Sequence, residues 1–434
     1  MDFPGWEKDY RNLYLFLEPV LLIYQIGIRM YYLIILMASP FSRRASQWIS
    51  GRRANKSLIS LWSTDKNRRT LWMHVSSLGE FEQGRPVIER WKAEFPEDRI
   101  MLSFYSPSGF NIRKNYPLAD LVFYLPLDTP KKMNRLLDQL SPDIFILVKY
   151  DFWPNLLRAL HQRKIPSYLI SARFRRDQYL FKSWGSAFLR QLRVFRYIFV
   201  QDEASEKLLR SFNFSQVVVA GDTRVDAVMT QGKRAKGQEG RKEKVIIGGS
   251  TWPEEERMLA NLWKSEGVME FKEDWKLVIA PHDISEGHLT AIENLFGKDI
   301  VRFSRCQEPM PEVLTQHNII LIDSIGLLSS LYAWADIAII GGGFGKGIHN
   351  TLEPAAFGLP VVFGPRWTKF REAESLIKIG AAFEVNDQES FFSTMKKLCS
   401  DATFRAESGI LAIKYMESQM GSSDLIIRRL LEKW

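Results

Sequence analysis

Beyond residue 68 the chain alternates apolar runs with segments in which apolar side chains recur at helical spacing. In RPVIERWKAEF, for example, Val87, Ile88, Trp91 and Phe95 fall on one helix face. Because strands and helices alternate, this pattern predicts a parallel sheet covered by helices on both faces. The strands predicted in this half are TLWMHVS, IMLSFYS, DIFILVKY, SYLISA, YIFVQ and VVVAG.

The pattern stops at residues 229–244, MTQGKRAKGQEGRKEK, which hold almost no apolar side chain and many charges. Such a composition is typical of a linker. A second series follows, with strands predicted at KVIIGGS, KLVIAPH, IILIDS, IAIIGGG, PVVFGP and AAFEV. We therefore predict an α/β protein with two Rossmann-like domains that face each other across a central cleft. Ligands are expected beyond the carboxyl ends of the strands.

The N-terminal segment from Leu13 to Phe41 is mostly apolar, and a helix over it would carry Glu18, Gln25 and Arg29 as one polar stripe. It is not a cleavable signal peptide, because the charges before it are mainly acidic and no small-residue cleavage site is evident. We predict a membrane anchor that either lies in the interface or spans the bilayer. The alternative is a buried helix of a soluble protein.

A basic run without an intervening acid follows this anchor and should stay on the cytoplasmic side, with the rest of the chain in the cytoplasm. Its residues are Arg43, Arg44, Arg52, Arg53 and Lys56. The domain bounds are then 1–56 for the anchor and its basic flank, 57–228 for the first Rossmann-like domain, 229–244 for the linker and 245–434 for the second. The final helix is a candidate to cross back to the first domain.

The net charge indicates the class of partner, and the cysteine and histidine content indicates the compartment and the absence of a metal site. A chain of 434 residues is long enough for two domains, and its net charge of +9 favours anionic partners. We expect these to be anionic lipids of the inner membrane rather than nucleic acid. Cys306 and Cys399 lie far apart, and the six histidines form no zinc-type pair. We therefore predict a reduced compartment, with no disulfide, no metal and no cofactor.

The densest motif is ADIAIIGGGFGKGIHNTLEPAAFGLPVVFGP, residues 335–365. A buried strand ends in three glycines, and a helix is predicted to open near Asn350 and Thr351, both of which are good N-cap types. Glycines allow a close approach of backbone to ligand, and a helix N-terminus suits a phosphate. Lys346 and His349 lie in this loop, and Glu353 is placed to accept hydrogen bonds from ribose hydroxyls. A glycine turn that serves only tight packing is the alternative.

Two other loops of the second domain follow strands in the same way. GGSTWPEEE places Ser250 and Thr251 before an acidic helix start, which is either an anion site or a simple capping box. APHDISEGH places His282 at a strand end, although a lone histidine is more often structural. Together the three loops predict a site for a nucleotide and its phosphate, without an acidic pair that would hold a metal.

In the first domain, WMHVSSLGEFEQGRPVIERW runs from a strand into a helix that Pro86 is predicted to help start. Glu80 is either a helix-terminus carboxylate or a proton acceptor in an active site. We assign the helix-terminus role to Glu82, which lies closer to Pro86, and this leaves Glu80 for chemistry. The remaining strand ends form a basic, hydroxyl-rich rim that includes Ser76, Ser77, Ser106, Ser108, Lys149, Asp151, Arg173, Arg175, Arg176, Arg224 and Asp226.

Over nearly its whole length the sequence resembles the 3-deoxy-D-manno-octulosonic acid (Kdo) transferases of lipid A assembly, glycosyltransferase family 30. The resemblance rests on HVSSLGE, SPSG, YLPLD, FWPNLL, SAR, QDE, GDTRVD, GSTWPEEE, APH and above all GGGFGKGIHNTLEPAAFG…VVFGP. It implies a GT-B fold and a membrane-bound enzyme on the cytoplasmic face. It also implies inverting transfer of Kdo from CMP-Kdo to a lipid A precursor of the lipid IVA type, with the catalytic base at Glu80.

The resemblance completes the expected site. The catalytic residues would be Glu80 and Asp151, and Ser77, Arg173 and Arg224 would bind the acceptor or the Kdo carboxylate. The donor CMP-Kdo would contact Ser250, Thr251, His282, Gly342, Gly343, Lys346, Gly347, His349, Asn350 and Glu353. Many family members carry two glutamates before WPN, whereas this chain has Lys149 and Asp151 there. Asp151 can keep the second carboxylate on a shorter arm, but Lys149 cannot keep the first.

Three other functions remain open from the sequence. A GT-B transferase for another nucleotide sugar would differ in the nucleotide that it binds. A nucleotide-sugar epimerase on the same fold would convert free donor without an acceptor lipid. A membrane-anchored binding protein that has lost catalysis would not need Glu80.

Overall fold

The computed structural model describes residues 6–65, 67–149, 151–182, 185–234, 243–265 and 274–432. The chain divides into two compact units, Met1–Arg224 with Gly421–Trp434, and Val225–Met420.

The first unit is built on a seven-stranded parallel sheet in the order β3-β2-β1-β4-β5-β6-β7. Its strands are β1 Thr70–Val75, β2 Arg99–Phe104, β3 Leu121–Tyr124, β4 Ile144–Val148, β5 Ser167–Ala172, β6 Tyr197–Val200 and β7 Val217–Val219. All six strands predicted in this half are present. The edge strand β3 was missed, because its four residues are too short for a clear pattern.

Helices cover both faces of this sheet. They are α1 Trp6–Ala38, α2 Arg43–Ser60, α3 Leu78–Glu94, α4 Pro107–Arg113, α5 Pro130–Leu140, α6 Pro154–Gln162, α7 Ser186–Gln191, α8 Glu203–Arg210 and, at the other end of the chain, α18 Ser422–Leu431. Three of them begin with a proline, which has no N–H to leave unpaired in the first turn. α18 packs on α3, where Ile426, Ile427 and Leu430 are at most 1% exposed.

The second unit repeats the architecture with the strand order β10-β11-β9-β8-β12-β13-β14, again all parallel. Its strands are β8 Lys244–Thr251, β9 Trp275–Pro281, β10 Ile300–Arg302, β11 Ile319–Leu321, β12 Ile337–Ile340, β13 Val361–Phe363 and β14 Ala382–Glu384. The six predicted strands are present here as well, and only the three-residue β10 was missed.

The helices of this unit follow its strands. They are α10 Pro253–Lys264, α11 Glu286–Phe296, α12 Met310–Gln316, α13 Leu328–Leu331, α14 Leu352–Ala356, α15 Arg371–Lys378, α16 Gln388–Ser400 and α17 Ala402–Ser418. A further helix, α9 Thr223–Arg234, contains the boundary between the units. It extends through the first six residues of the predicted linker 229–244, and β8 begins at the last one. Residues 235–242 lie outside the described residues.

The N-terminal segment is helical and belongs to the first unit. One helix in the described part of the chain is long and apolar enough to cross a membrane: the stretch Val20–Ala38 of α1, with a mean hydropathy of 1.9. One side of it packs on the protein, where Leu21 and Ile28 are 4% and 9% exposed. The hydroxyl of Tyr24 donates to Asp128 at 3.0 Å. α1 therefore lies along the unit over this stretch rather than projecting from it.

Candidate functional site

Glu80 lies in the first turn of α3, directly after β1. The N-cap of this helix is Ser77, whose hydroxyl accepts the N–H of Glu80 at 3.4 Å. The predicted helix start at Pro86 is wrong, because α3 begins at Leu78 and Pro86 lies inside it. Glu80 is therefore itself the helix-terminus carboxylate, and Glu82 is not.

Glu82 instead forms ion pairs with Arg85 and Arg113 on the surface of the helix, at 2.9 and 2.8 Å. The carboxylate of Glu80 accepts the N–H of Ser76 at 2.5 Å and is only 9% exposed. The carboxylate predicted to act as the proton acceptor is thus also the one at the helix N-terminus. The two readings that the sequence left as alternatives are compatible.

The environment of Glu80 favours its protonated form more than water does. Burial raises the pKa of Glu80 to about 7, and the nearby charge of Asp151 acts in the same direction. The N–H groups of Ser76 and Ser77 and the charge of Lys149 oppose this rise without cancelling it. A pKa near neutrality is what a general base needs, because such a group is available as the base and still holds the proton it accepts.

Lys149 follows β4, the neighbour of β1 in the sheet. Its backbone has a φ of +66°, unusual for a residue with a side chain, and its N–H donates to the carbonyl of Ile170 at 2.9 Å. Burial lowers the pKa of the Lys149 ammonium, and the charge of Glu80 is the largest of the opposing influences. A cation therefore lies in the electrostatic field of the candidate base.

The two arginines predicted to bind a carboxylate already have acidic partners. Arg224 contacts both oxygens of Asp222, at 3.1 and 3.0 Å from its Nε. Arg173 pairs with Asp202 at 3.4 Å, and Asp202 also caps α8. Both arginine side chains remain about a third exposed. A ligand carboxylate would therefore share or displace these aspartates.

In the second unit, the loops after β8, β9 and β12 meet as predicted. The N–H of His282 donates to the carbonyl of Thr251 at 3.0 Å. The ring of His282 stacks between those of Trp252 and His349, with centroids 4.8 and 4.6 Å apart. The indole N–H of Trp252 donates to Nε2 of His349 at 3.1 Å, and burial lowers the pKa of His349. His349 is therefore a neutral imidazole near neutral pH.

The glycine loop after β12 is held by a carboxylate from α10. Glu255, 3% exposed, accepts the N–H of Gly342 at 3.0 Å and that of Trp252 at 3.1 Å. The N–H groups of Gly345 and Gly347 donate to the carbonyl of Gly342, both at 3.0 Å. These amides are used within the protein, so the predicted phosphate cradle does not rest on the N–H groups of Gly342 and Gly347.

The glycines of this loop are required by packing. A Cβ on Gly341 would meet the backbone of Ser250, and a Cβ on Gly343 would meet the backbone of Gly364. Gly342 has a φ of +88°, which favours glycine. The tight-packing alternative considered for this motif therefore accounts for three of its glycines.

The structure bears on two further predictions for this unit. Thr251 is fully buried, and its hydroxyl donates to Glu256 at 3.0 Å, so this hydroxyl is already used within the protein. The helix predicted to open near Asn350 and Thr351 is confirmed as α14, although it has only five residues and therefore a small dipole. The N-cap of α14 is Thr351, and Asn350 accepts the N–H of Leu352 at 3.1 Å.

The polar groups at the surface of this region are mostly side chains. Ser250, with a φ of +52°, and Glu353 are half-buried, and the amide of Asn350 donates to Glu353 at 2.9 Å. Lys346 and His282 are exposed. This unit therefore presents a stacked aromatic–imidazole column beside a lysine, which suits a base or sugar ring and an adjacent anion.

The known proteins to which the chain is similar include Kdo transferases. A family model described as 3-deoxy-D-manno-octulosonic-acid transferase (Kdo transferase) matches residues 51–227. The 3-deoxy-D-manno-octulosonic acid transferase of Aquifex aeolicus is 27% identical over 334 residues, which cover 76% of this chain and 86% of that protein. The enzyme of the same name from Haemophilus influenzae is 25% identical over 438 residues, covering 96% and 93%. The chain is thus similar to Kdo transferases over three quarters of its length or more.

The chain is accordingly a glycosyltransferase. Among solved structures, the UDP-GlcNAc 2-epimerase from Neisseria meningitidis bound to UDP-GlcNAc has a TM-score of 0.58 and 17% identity, covering 84% of this chain and all of that one. At that identity the likeness concerns the fold alone. Together with the two parallel seven-stranded sheets it confirms the predicted GT-B class.

Four residues that contact the predicted site residues of the two units were not singled out from the sequence. They are Asp222, Trp252, Glu255 and Arg366. The guanidinium of Arg366, exposed after β13, donates to the carbonyl of Gly345. The run of three acids after Trp252 was a visible signal for Glu255, although its partners in the glycine loop were not. The roles assigned to Glu80, Asp151 and the donor-binding residues stay predictions.

Proposed function

We propose that the protein is an inverting glycosyltransferase that transfers Kdo from CMP-Kdo to a lipid A precursor of the lipid IVA type in lipopolysaccharide core biosynthesis. Similarity to Kdo transferases supports the donor and the pathway. The observation that carries the mechanism is Glu80, a buried carboxylate at the start of α3 whose pKa is raised to about 7.

In the proposed reaction an acceptor hydroxyl attacks the anomeric carbon of Kdo. The carboxylate of Glu80 takes the hydroxyl proton as the new C–O bond forms. The bond from the anomeric carbon to the phosphate oxygen breaks, and its electron pair leaves with CMP. General base catalysis of this kind contributes about 10²–10⁴-fold to the rate. Asp151 assists by keeping the surroundings of Glu80 anionic, which strengthens it as a base.

The leaving CMP is a phosphate monoester and needs cationic or hydrogen-bonding groups. We assign these to the second unit, in which Lys346 and Arg366 carry charge and His349 is neutral. His282 and Trp252 supply a ring surface on which a base or sugar can stack. Ser250, Asn350 and Glu353 are assigned to the hydroxyl groups of the donor. Arg173 and Arg224 stay the candidates for the Kdo carboxylate, with Ser77 for the acceptor.

We also propose that α1 lies in the cytoplasmic leaflet of the inner membrane. The helix is held along its length, from Leu21 on α7 to Ile35 near Trp48 on α2. At about 1.5 Å per residue this spans roughly 20 Å. A helix attached over that distance would have to pull the unit into the bilayer in order to cross it. A helix that lies in the plane of the membrane, with its outer side in lipid, fits both the contacts of α1 with α7 and α2 and its exposed apolar side chains.

The test replaces Glu80 by Gln, a change that keeps shape and removes the basic oxygen. Purified Glu80→Gln protein with CMP-Kdo and lipid A precursor should form product, measured by mass spectrometry, at a rate at least about 100-fold lower. Glu82→Gln is the matched control, since it removes a carboxylate two residues away that pairs only on the surface. A Glu80→Gln enzyme with normal turnover would contradict the assignment.

The same preparations separate the competing functions. CMP should raise the melting temperature of wild-type and Glu80→Gln protein alike, whereas UDP and ADP should not. Protection by UDP instead would favour a transferase for another nucleotide sugar. Conversion of free donor without acceptor lipid would favour an epimerase.

A further inference from the structure

The outer side of α1 is apolar and uncovered. Ile23 and Met37 are 70% and 68% exposed, and Phe41, just after the helix, is 93% exposed. The opposite side packs on α2, α7 and the loop before α5. Between these two sides lies the polar stripe predicted from the sequence, of which Gln25 and Arg29 are described.

This stripe forms one wall of a cavity of about 480 Å³. The other wall is the start of α5, with Thr129, Lys131 and Lys132. A second cavity of about 320 Å³ shares Lys132 with the first and continues along α2 and α5. It adds three more cations, namely Arg52, Arg53 and Arg135. We call the two cavities together the α1–α5 groove.

The cations of this groove lack acidic partners. Among the residues that the structure describes, no ion pair joins Arg29, Lys131 or Lys132 to a carboxylate. Asp128, the acid next to Thr129 in sequence, is fully buried and already accepts hydrogen bonds from Tyr24, Asn155 and Leu156.

Other groups at the groove do not neutralise the cations either. Asp138 of α5 pairs with Arg163 at 2.6 Å. Burial and the charge of Arg52 lower the pKa of Lys132, so positive charge is in excess here. Among the side chains that the structure describes, the groove is thus a cationic recess without an acidic counter-ion, bordered by an apolar surface.

We propose that the α1–α5 groove binds the phosphate monoester of a lipid in the leaflet in which α1 lies, a proposal that rests on the membrane placement proposed above. A phosphate monoester carries close to two negative charges near neutral pH and accepts several charge-assisted hydrogen bonds. Arg29, Lys131 and Lys132 supply complementary charge on two sides of one cavity.

A lipid fits the groove better than a free phosphate ion does. The acyl chains of a lipid continue from the phosphate into the region occupied by the exposed side of α1, where Ile23 and Met37 project. A lipid phosphate lies at the depth of an interfacial helix, which is also where Arg29 is held by its place on α1. The site therefore selects a headgroup by charge and a lipid by continuity with the apolar surface.

The test measures flotation of the full chain with phosphatidylcholine vesicles that contain a minor fraction of phosphatidic acid. Parallel vesicles contain phosphatidylserine at a matched surface potential. Binding should be tighter to the phosphatidic acid vesicles, and Lys131→Gln/Lys132→Gln should weaken it roughly tenfold or more. Lys396→Gln/Lys397→Gln removes the same charge from an exposed lysine pair on α16 and should leave it unchanged.

Each alternative outcome overturns the proposal in a recognisable way. Equal loss with both lysine pairs would mean non-specific charge attraction. Equal binding to both anionic vesicles, or undiminished binding to pure phosphatidylcholine, would mean that α1 inserts without a headgroup site, and the membrane placement would survive. Failure to bind any vesicle would overturn the membrane placement as well.

A separate experiment tests whether the groove binds free phosphate. The protein is titrated calorimetrically with inorganic phosphate. No saturable binding should be seen. Saturable binding that Lys131→Gln/Lys132→Gln abolishes would show that the groove takes free phosphate and that the lipid is not its ligand.

Discussion

At the scale of single residues, the contrast between Glu80 and Glu82 shows how two carboxylates in one helical turn acquire different chemistry. Glu82 has two arginine partners and stays a surface ion pair. Glu80 is buried, accepts a backbone N–H and has a pKa raised to about 7. The effect of burial on the pKa of Glu80 is larger than the opposing effects of the helix terminus and of Lys149. This carboxylate therefore titrates within the physiological pH range.

Glu80 is predicted to set the acid limb of the pH–activity profile, and Lys149 to shift its midpoint. Because the base must be deprotonated, activity should rise as pH increases through about 7. Lys149→Met removes a charge that favours the Glu80 carboxylate, so the midpoint of that limb should move upward by roughly one pH unit. The measurement is the initial rate of transfer at saturating donor, from pH 5 to 9 in a constant-ionic-strength buffer.

Lys149→Arg is the control, since it keeps the charge and the left-handed backbone strain of a non-glycine residue at φ +66°. Its midpoint should match that of the wild type. A Lys149→Met midpoint that stays in place, or moves to lower pH, would show that the Lys149 charge does not act on the base.

At the scale of elements, the glycine loop and the start of α10 form one hydrogen-bonded assembly around Glu255. Glu255→Ala leaves the buried N–H of Gly342 without an acceptor and removes the cap at Trp252. The free energy of unfolding should fall by about 2 kcal/mol, because an unsatisfied buried N–H costs about 1–3 kcal/mol. Urea denaturation followed by tryptophan fluorescence measures this loss.

The neighbouring Glu254 provides the comparison. It is about half exposed and pairs with Arg257 one turn along the same helix. Glu254→Ala should therefore change stability by less than about 0.5 kcal/mol. Equal effects of the two substitutions would mean that the Glu255 carboxylate does not hold the loop.

The elements themselves follow closely from the sequence where apolar runs are long. The edge strand β10 was not predicted, because its sequence IVR ends in an arginine. Arg302 is nevertheless only 7% exposed. Its charge is matched by Glu286 and Glu293 at 2.7 Å each, from α11, the helix directly before β10 in the sequence. The pattern of apolar positions does not show that these side chains pair.

The same limit applies to the site. That loops carrying Ser250, His282 and His349 meet could be predicted, because strand ends of a parallel sheet share an edge. Whether a loop amide is open or already bonded depends on a carboxylate 87 residues away, as with Glu255 and Gly342. Pro86 misled the prediction of the α3 start because proline usually marks the first turn of a helix and only rarely its interior.

At the scale of the whole molecule, the chain leaves the first unit after Arg224 and returns to it at Gly421. Removal of residues 421–434 takes away α18 and exposes the surface of α3 beneath Ile426, Ile427 and Leu430. Each such side chain contributes about 1.5–3 kcal/mol when fully buried, so the first unit should lose at least about 4 kcal/mol. The unfolding transition of the second unit should keep its midpoint in differential scanning calorimetry.

Asp424→Ala tests whether the exposed ion pair with Arg90 accounts for this effect. A surface pair of this kind contributes at most about 1 kcal/mol, so the substitution should be nearly silent. A truncated chain whose first unit melts like the full-length protein would show that α18 is dispensable.

The position of α18 also bears on how the protein is made. A ribosome delivers α1 before the two units, so under the membrane placement proposed above this helix can reach the bilayer while the units are still being translated. The helix α3, which carries Glu80, gains α18 as a packing partner only when residues 422–431 emerge, because α18 lies against α3. On that placement the nascent chain reaches the membrane before the support of its proposed base is complete. A polypeptide without α18 would then reach the membrane and yet be deficient in the unit that carries Glu80.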